Sequence, residues 1–302
     1  MSAENIINNH VFYEEEERVG CLVTRQTKKI WAVQLDLLNE FISICTKYKL
    51  RYFLCYGSLL GAIRHKGYIP WDDDIDVMMF REDYDKLCEV APEAFKSPYF
   101  FQTEETDPGY LLKHAKVRNS NTTCLFGALD KYQCNFNQGI FIDVFVLDNI
   151  PDDYDVRIRW YSDLWQLWGR IWEISAYMHR RVKFSFFKEI KLLFLSKIGS
   201  YKKLCLKYDN LLKKYANTNT RDVADIVFTI SAGSVSNKCT WRKSEFESFI
   251  QVPFEMLNVF VPKKYDSILN TTYGDWKELR PGGGSHSDLF FDTEKSYKEY
   301  IK

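Results

Sequence analysis

No run of about 18 uncharged apolar residues occurs in the 302-residue chain, so no membrane-crossing helix is expected. The opening MSAENIINNHVFYEEEERVG lacks both the basic start and the apolar stretch of a secretory signal, and none is expected. The eight cysteines, at 21, 45, 55, 88, 124, 134, 205 and 239, never fall two to four residues apart, which removes a zinc site and a disulfide scaffold. Several lie in apolar runs and read as reduced core thiols of a cytoplasmic protein. Repeats and low-complexity stretches are missing too. Overall charge is absent, 41 Lys and Arg balancing 41 Asp and Glu, and no nucleic-acid partner is expected. What is plentiful is apolar: 46% hydrophobic and 16% aromatic residues exclude a disordered chain. The charge is also uneven, since residues 157–214 hold 14 Lys and Arg against 4 Asp and Glu, a net of +10.

One stretch ends, from Trp71 to Val77, in residues most of which could not be there for a hydrophobic core. Residues 56–77, YGSLLGAIRHKGYIPWDDDIDV, place Asp72, Asp73, Asp74 and Asp76 within five positions. The flanks predict a short strand over 51–56, a break at Gly57-Ser58, one or two helical turns over 59–65, a loop over 67–71 and a second strand over 75–80. On a strand, residues two apart share a face, so Asp74 and Asp76 would present paired carboxylates while Ile75 and Val77 enter the core. Two hard oxygen ligands so placed suit Mg²⁺ or Mn²⁺, which share their remaining positions with water and substrate phosphates. Gly57 and Ser58 would let backbone N–H groups at the next turn seat a phosphate.

Acidic runs also occur in calcium loops, on solvated surfaces and in sugar-nucleotide enzymes, and the neighbouring residues argue against each. Asp72, Asp74 and Asp76 match positions 1, 3 and 5 of a calcium loop, but Val77 stands at position 6 and Asp83 at position 12, where Gly and Glu belong. A solvated acidic surface rarely alternates with Ile and Val before Met-Met-Phe. A glycosyltransferase of the Asp-x-Asp type would use a similar metal grip, but Gly57-Ser58 upstream argues against it.

Strand, Gly-Ser, short helix, then Asp-x-Asp on the next strand resembles the nucleotidyltransferase fold. The longer string with HKG, IPWDDDID and Arg81-Glu82-Asp83-Tyr84 resembles the LicD family, whose members move phosphocholine from CDP-choline onto cell-surface glycans. The resemblance extends through Lys116, Arg118 and Thr122-Thr123. It continues to a closing order of VPFE (252–255), Tyr273-Gly274-Asp275, a proline and His286.

Elsewhere, Ile30, Val33, Leu37, Phe41, Ile44 and Tyr48 recur at three and four and predict an amphipathic helix over 26–48 that backs the sheet. A helix over 82–95 is expected to be disturbed at Pro92, followed by a strand over 99–102. His114, Lys116 and Arg118 alternate with Ala115 and Val117, so one strand face carries three cations: a solvated edge, or contacts to phosphate. Residues 139–148, GIFIDVFVLD, hold Asp143 in mid-strand, where burial is costly unless it is paired or bound to metal. Asp143 is taken as the third carboxylate. Trp160, Leu164, Leu167, Trp168 and Ile171 make one helical stripe, and Phe184, Phe187, Ile190, Phe194 and Ile198 another. Both are read first as core stripes with solvated basic faces, and second as a surface that lies on an anionic membrane.

The expectation is an α/β fold, a nucleotidyltransferase-like mixed sheet backed by helices, divided into a polar segment (1–25), a catalytic core (26–150), a helical basic segment (151–220) and a C-terminal segment closing the cleft (221–302). Asp74, Asp76 and Asp143 are the candidate catalytic and metal residues. Gly57, Ser58, Arg64, Lys116, Arg118 and His286 are the candidate phosphate and substrate contacts. The resemblance implies a CDP-alcohol donor, CDP-choline first, and a glycan acceptor, teichoic acid or lipopolysaccharide, free or lipid-linked. Ethanolamine, glycerol and ribitol donors, nucleotide transfer by attack at the α-phosphorus, and a non-catalytic nucleotide- or glycan-binding scaffold stay open.

Overall fold

The computed structural model describes residues 10–110, 112–126, 136–179, 183–197, 199–231, 237–280 and 289–300. A hairpin of β1 (Glu16–Arg18) and β2 (Cys21–Val23) leads into α1 (Arg25–Tyr48), which starts where the Thr24 hydroxyl accepts the Thr27 N–H. The three-four spacing does what it predicts: Ile30, Leu37, Phe41 and Ile44 are buried. Next come β3 (Phe53–Leu54), α2 (Tyr56–His65) and β4 (Asp76–Phe80). Here the expected boundaries shift. The first strand is two residues long, and Gly57 and Ser58 belong to the first turn of α2 instead of breaking before it. Asp74 precedes its strand.

Helix α3 (Arg81–Ala94) runs through Pro92, contrary to expectation, because a proline in the last turn removes only one donor from a helix already ending. After β5 (Tyr99–Gln102), β6 (Ala115–Asn119), β7 (Thr123–Phe126) and β8 (Ile140–Asn149) come three helices: α4 (Tyr154–Met178), α5 (Phe186–Lys197) and α6 (Ser200–Leu212). The chain closes through β9 (Asp222–Ala224), α7 (Ile226–Ser231), β10 (Thr240–Arg242), a hairpin of β11 (Phe249–Phe254) and β12 (Leu257–Pro262), α8 (Tyr265–Tyr273) and β13 (Leu289–Asp292).

A mixed sheet of seven strands carries the fold, with β8 at its centre. Asp143 to Leu147 of β8 run parallel to β4, its first residues pair antiparallel with β6, and Asp148 and Asn149 pair with β9. Strand β6 lies between β5 and β8, so it is no solvated edge. Because β9 and β10 join the same sheet, α4 to α6 are an insertion within it. Helix α1 packs across β6 and β8, and its buried residues share one core with the sheet, the β11–β12 hairpin and α8.

The inserted helices have a smaller core of their own, in which Trp160, Leu164, Leu167 and Ile171 of α4 meet Tyr208 and Leu212 of α6. The α4 stripe is therefore core, while Trp165 and Trp172 beside it are exposed. In the second stripe Phe187, Ile190 and Phe194 are exposed and Phe184 is half-buried, while Ile198 lies outside the described residues. Only Leu192 of α5 is buried, because α5 rests on the other two helices by one narrow side.

Candidate active site

The acidic loop is held from behind by its backbone, which leaves its carboxylates facing the other way. Trp31 Nε1 donates to the Asp72 carbonyl at 3.0 Å and Gln34 Nε2 to that of Asp73 at 2.6 Å. Tyr68 stacks on Trp31 with ring centroids 4.3 Å apart and donates its hydroxyl to Gln34 Oε1 at 3.1 Å. Glu255, the last residue of the VPFE string, accepts the Tyr68 N–H at 3.1 Å and is gripped by both terminal nitrogens of Arg18 at 2.5 and 3.0 Å. The string that looked like a mere signature is thus the loop's clamp.

Strand register then assembles the acids. Asp76 of β4 lies opposite Asp143 of β8, and Asp143 opposite Lys116 of β6, so the three form one row across adjacent strands. Asp74, two residues upstream, joins them: Asp74, Asp76 and Asp143 each offer an oxygen, all within 4.8 Å of one another. Asp72, Asp73 and Asp74 make a second such group sharing Asp74.

Asp143 Oδ1 takes Lys116 Nζ at 2.5 Å and lies 2.8 Å from His114 Nε2. Although burial opposes it, Lys116 and His114 hold Asp143 well below the usual carboxylate range. The others go the opposite way. Burial first, then the charges of Asp74, Asp143 and Asp72, push Asp76 well above that range, and Asp72 is pushed up to about 8 by burial, Asp74 and Asp73. Two carboxylates that resist ionising beside one that is anchored make a site short of positive charge.

The α2 terminus faces this cluster through Ser58 and Gly57. Ser58 Oγ accepts the Asp76 N–H at 2.8 Å, and a Cβ on Gly57 would sit 2.7 Å from Asp72 Oδ2. Only glycine lets the acidic loop lie that close to the helix's first turn, whose N–H groups lack intrahelical partners. Tyr56 opens the helix at a φ of 46° and donates its hydroxyl to Asp225 Oδ2 at 2.9 Å. Asp225 is buried, and burial pushes its carboxyl up to about 6 even though Phe228 N–H and Tyr56 stabilise the charged form.

Other sequence-chosen residues go elsewhere. Arg118 is 2% exposed and spends its guanidinium on Gln102 Oε1 and the Gly139 carbonyl at 2.5 and 2.6 Å, supporting the β5–β6–β8 junction. Arg64, in the last turn of α2, donates to the carbonyls of Trp276 and Glu278 at 3.1 and 3.4 Å. His286 lies outside the described residues. Sequence reasoning noted His114 only as one of three cations and missed Asp225 and Tyr56. The alternation about Lys116 signalled the first; nothing local pointed to the pair.

The donor set suits a small hard cation. Three carboxylates from a loop and two neighbouring strands converge, all oxygen ligands, with Asp76 and Asp143 buried, Asp74 half-buried and the Lys116 ammonium resting on Asp143.

The model of the LicD/FKTN/FKRP nucleotidyltransferase domain matches residues 49–145, the span that contains α2, the acidic loop, Lys116 and Asp143. The lipopolysaccharide cholinephosphotransferase LicD of Haemophilus influenzae is 28% identical over 262 residues, covering 82% of this chain and 90% of that protein. Uncharacterised proteins of Rickettsia typhi and Rickettsia prowazekii are 30% and 29% identical over 119 and 121 residues, covering 39% of this chain and 34% and 40% of their own lengths. Residues 49–145, which hold the acidic row, thus match the nucleotidyltransferase domain of the LicD family, and the likeness to the Haemophilus protein extends over 82% of the chain.

Proposed function

We propose that this protein is a transferase that moves a phospho-substituent, phosphocholine from CDP-choline first, onto a hydroxyl of lipopolysaccharide or another cell-surface glycan. The observation that carries it is the row of Asp76, Asp143 and Lys116 beside the open turn of α2, in a chain that covers 90% of a cholinephosphotransferase. Asp74, Asp76 and Asp143 would hold Mg²⁺ or Mn²⁺, which when bound would neutralise donor phosphates and the departing nucleotide.

The chain's own residues do the rest. Gly57 and the α2 N–H groups receive the phosphates, and Ser58 fixes the backbone that carries Asp76. Lys116 and His114 keep Asp143 ionised and pointed into the row. With Oδ1 engaged by Lys116 and His114, Asp143 suits a ligand better than a proton acceptor. The seven described cysteines are all free thiols, which supports a reducing, cytoplasmic setting.

The test is a screen of CDP-choline, CDP-ethanolamine, CDP-glycerol and CDP-ribitol against lipopolysaccharide and teichoic acid, with Mg²⁺, Mn²⁺ or EDTA. Metal-dependent release of CMP with label from the head group on the glycan is the expected result. Release of phosphocholine with CMP on the glycan would mean attack at the α-phosphorus, and binding without turnover would mean a scaffold.

A further inference from the structure

Helix α5 wears its apolar side outward. Phe187 is 82% exposed, Phe186 72%, Phe194 64%, Ile190 52% and Leu193 42%, whereas Leu192 is 2% exposed. At about 100° per residue, the five exposed residues fall within an arc of about 120°, and Leu192 points roughly the opposite way. The helix is amphipathic in reverse, with its widest apolar face turned from the protein. Contiguous exposed apolar surface of this kind marks an interaction site.

The rim of that face is basic. Lys191 and Lys197 of α5 are exposed and make no ion pair among the described residues, while Lys188 is held on Glu173 of α4 at 2.7 Å. Lys183 before the helix and Lys202, Lys203 and Lys207 on α6 are exposed as well, beside Leu206 at 63%. A second copy of this chain would bring the same excess of 14 basic against 4 acidic residues and meet it with repulsion. An anionic lipid surface offers what both parts of the face require: phosphates for the lysines and an acyl boundary for the arc. No described helix is long and apolar enough to cross a membrane, so α5 would lie in the plane.

We propose that α5 is an in-plane anchor that seats the protein on an anionic membrane. The inference goes beyond the transferase reading and does not depend on it; where both hold, a lipid-linked acceptor meets the cleft on the surface that carries it.

The experiment is sedimentation of the full chain with vesicles of phosphatidylcholine containing about one third phosphatidylglycerol, at low and high salt. Wild type should bind at low salt, and Phe187→Ser/Phe194→Ser should lower the partition coefficient about tenfold or more. Lys191→Glu/Lys197→Glu should do likewise, and neutral vesicles should bind weakly. These side chains are exposed, so unchanged melting temperatures verify the variants. Independently, Ile190→Trp should give emission that shifts to the blue on the anionic vesicles. No vesicle binding by wild type, binding indifferent to the Phe substitutions, or a dimer that Phe187→Ser/Phe194→Ser disperses without any lipid affinity would each overturn the anchor. CMP release on a soluble acceptor is scored separately: turnover without vesicle binding removes the anchor alone, and vesicle binding without turnover removes the transferase reading alone.

Discussion

The hydroxyl of Ser58 accepts the backbone N–H of Asp76 at 2.8 Å, so the first turn of α2 holds the strand that carries a site carboxylate. Ser58 is 4% exposed, and Ser58→Ala leaves a buried N–H without its partner. The expected cost is about 1–3 kcal/mol of stability, with a fall in turnover as Asp76 loses its fixed position. Thermal unfolding and CMP release measure the two effects, and a variant equal to wild type in both would show that the bond does neither job.

Asp74→Asn and Asp76→Asn should lose turnover yet melt at or above the wild-type temperature in the absence of metal. Asp76→Asn replaces a carboxyl whose ionisation is opposed by burial and by the charges of Asp74, Asp143 and Asp72, and Asp74→Asn removes one of those charges. Calorimetric titration with Mn²⁺ should lose its heat in both variants. Full wild-type turnover in excess EDTA would end the metal reading.

Asp143 should behave differently. Lys116 is 3% exposed and its ammonium rests on Asp143, so Asp143→Asn strands a buried cation and should cost about 3–5 kcal/mol. Adding Lys116→Met should recover much of that stability without recovering turnover. If Asp143→Asn melts like wild type, the ion pair is not what holds these strands.

Asp225 makes stability depend on pH. Its carboxyl is raised from 3.8 to about 6 in the folded protein, so between those values the unfolded chain has released its proton while the folded one retains it. Stability is therefore lost as pH rises from about 4 to about 6, by about 3 kcal/mol at 1.36 kcal/mol per unit. Asp225→Asn should remove this component from a plot of unfolding free energy against pH. A variant curve parallel to wild type across that window would contradict it.

Much of this was legible in the chain, and what was not has a common cause. Asp74 and Asp76 stand out because four acids in five positions cannot be core, and Asp143 because an acid inside GIFIDVFVLD needs a partner. Helix α1 follows from spacing alone. Which side chain meets which depends on strand register and tertiary packing, which join residues far apart: Lys116 and, just before its strand, His114 reach Asp143, and Tyr56 of α2 reaches Asp225 across 169 positions. Arg118 has the type and face of a phosphate ligand, but its Nε and one terminal nitrogen go to Gln102 and the Gly139 carbonyl, partners that no local pattern announces. In α5 the period was right and its direction was not, since a 3.6-residue repeat is the same whether the apolar side faces in or out.

The clamp formed by Arg18 and Glu255 closes a span of 237 residues over a loop that belongs to neither end. A gene fragment encoding residues 49–145 would carry every acid of the row and lose Arg18, Trp31, Gln34 and Glu255, all of which position the acidic loop. Recombination that swaps this segment between relatives therefore has to bring matching partners from both flanks, and the heritable catalytic unit reaches well beyond the residues matched to the family's domain.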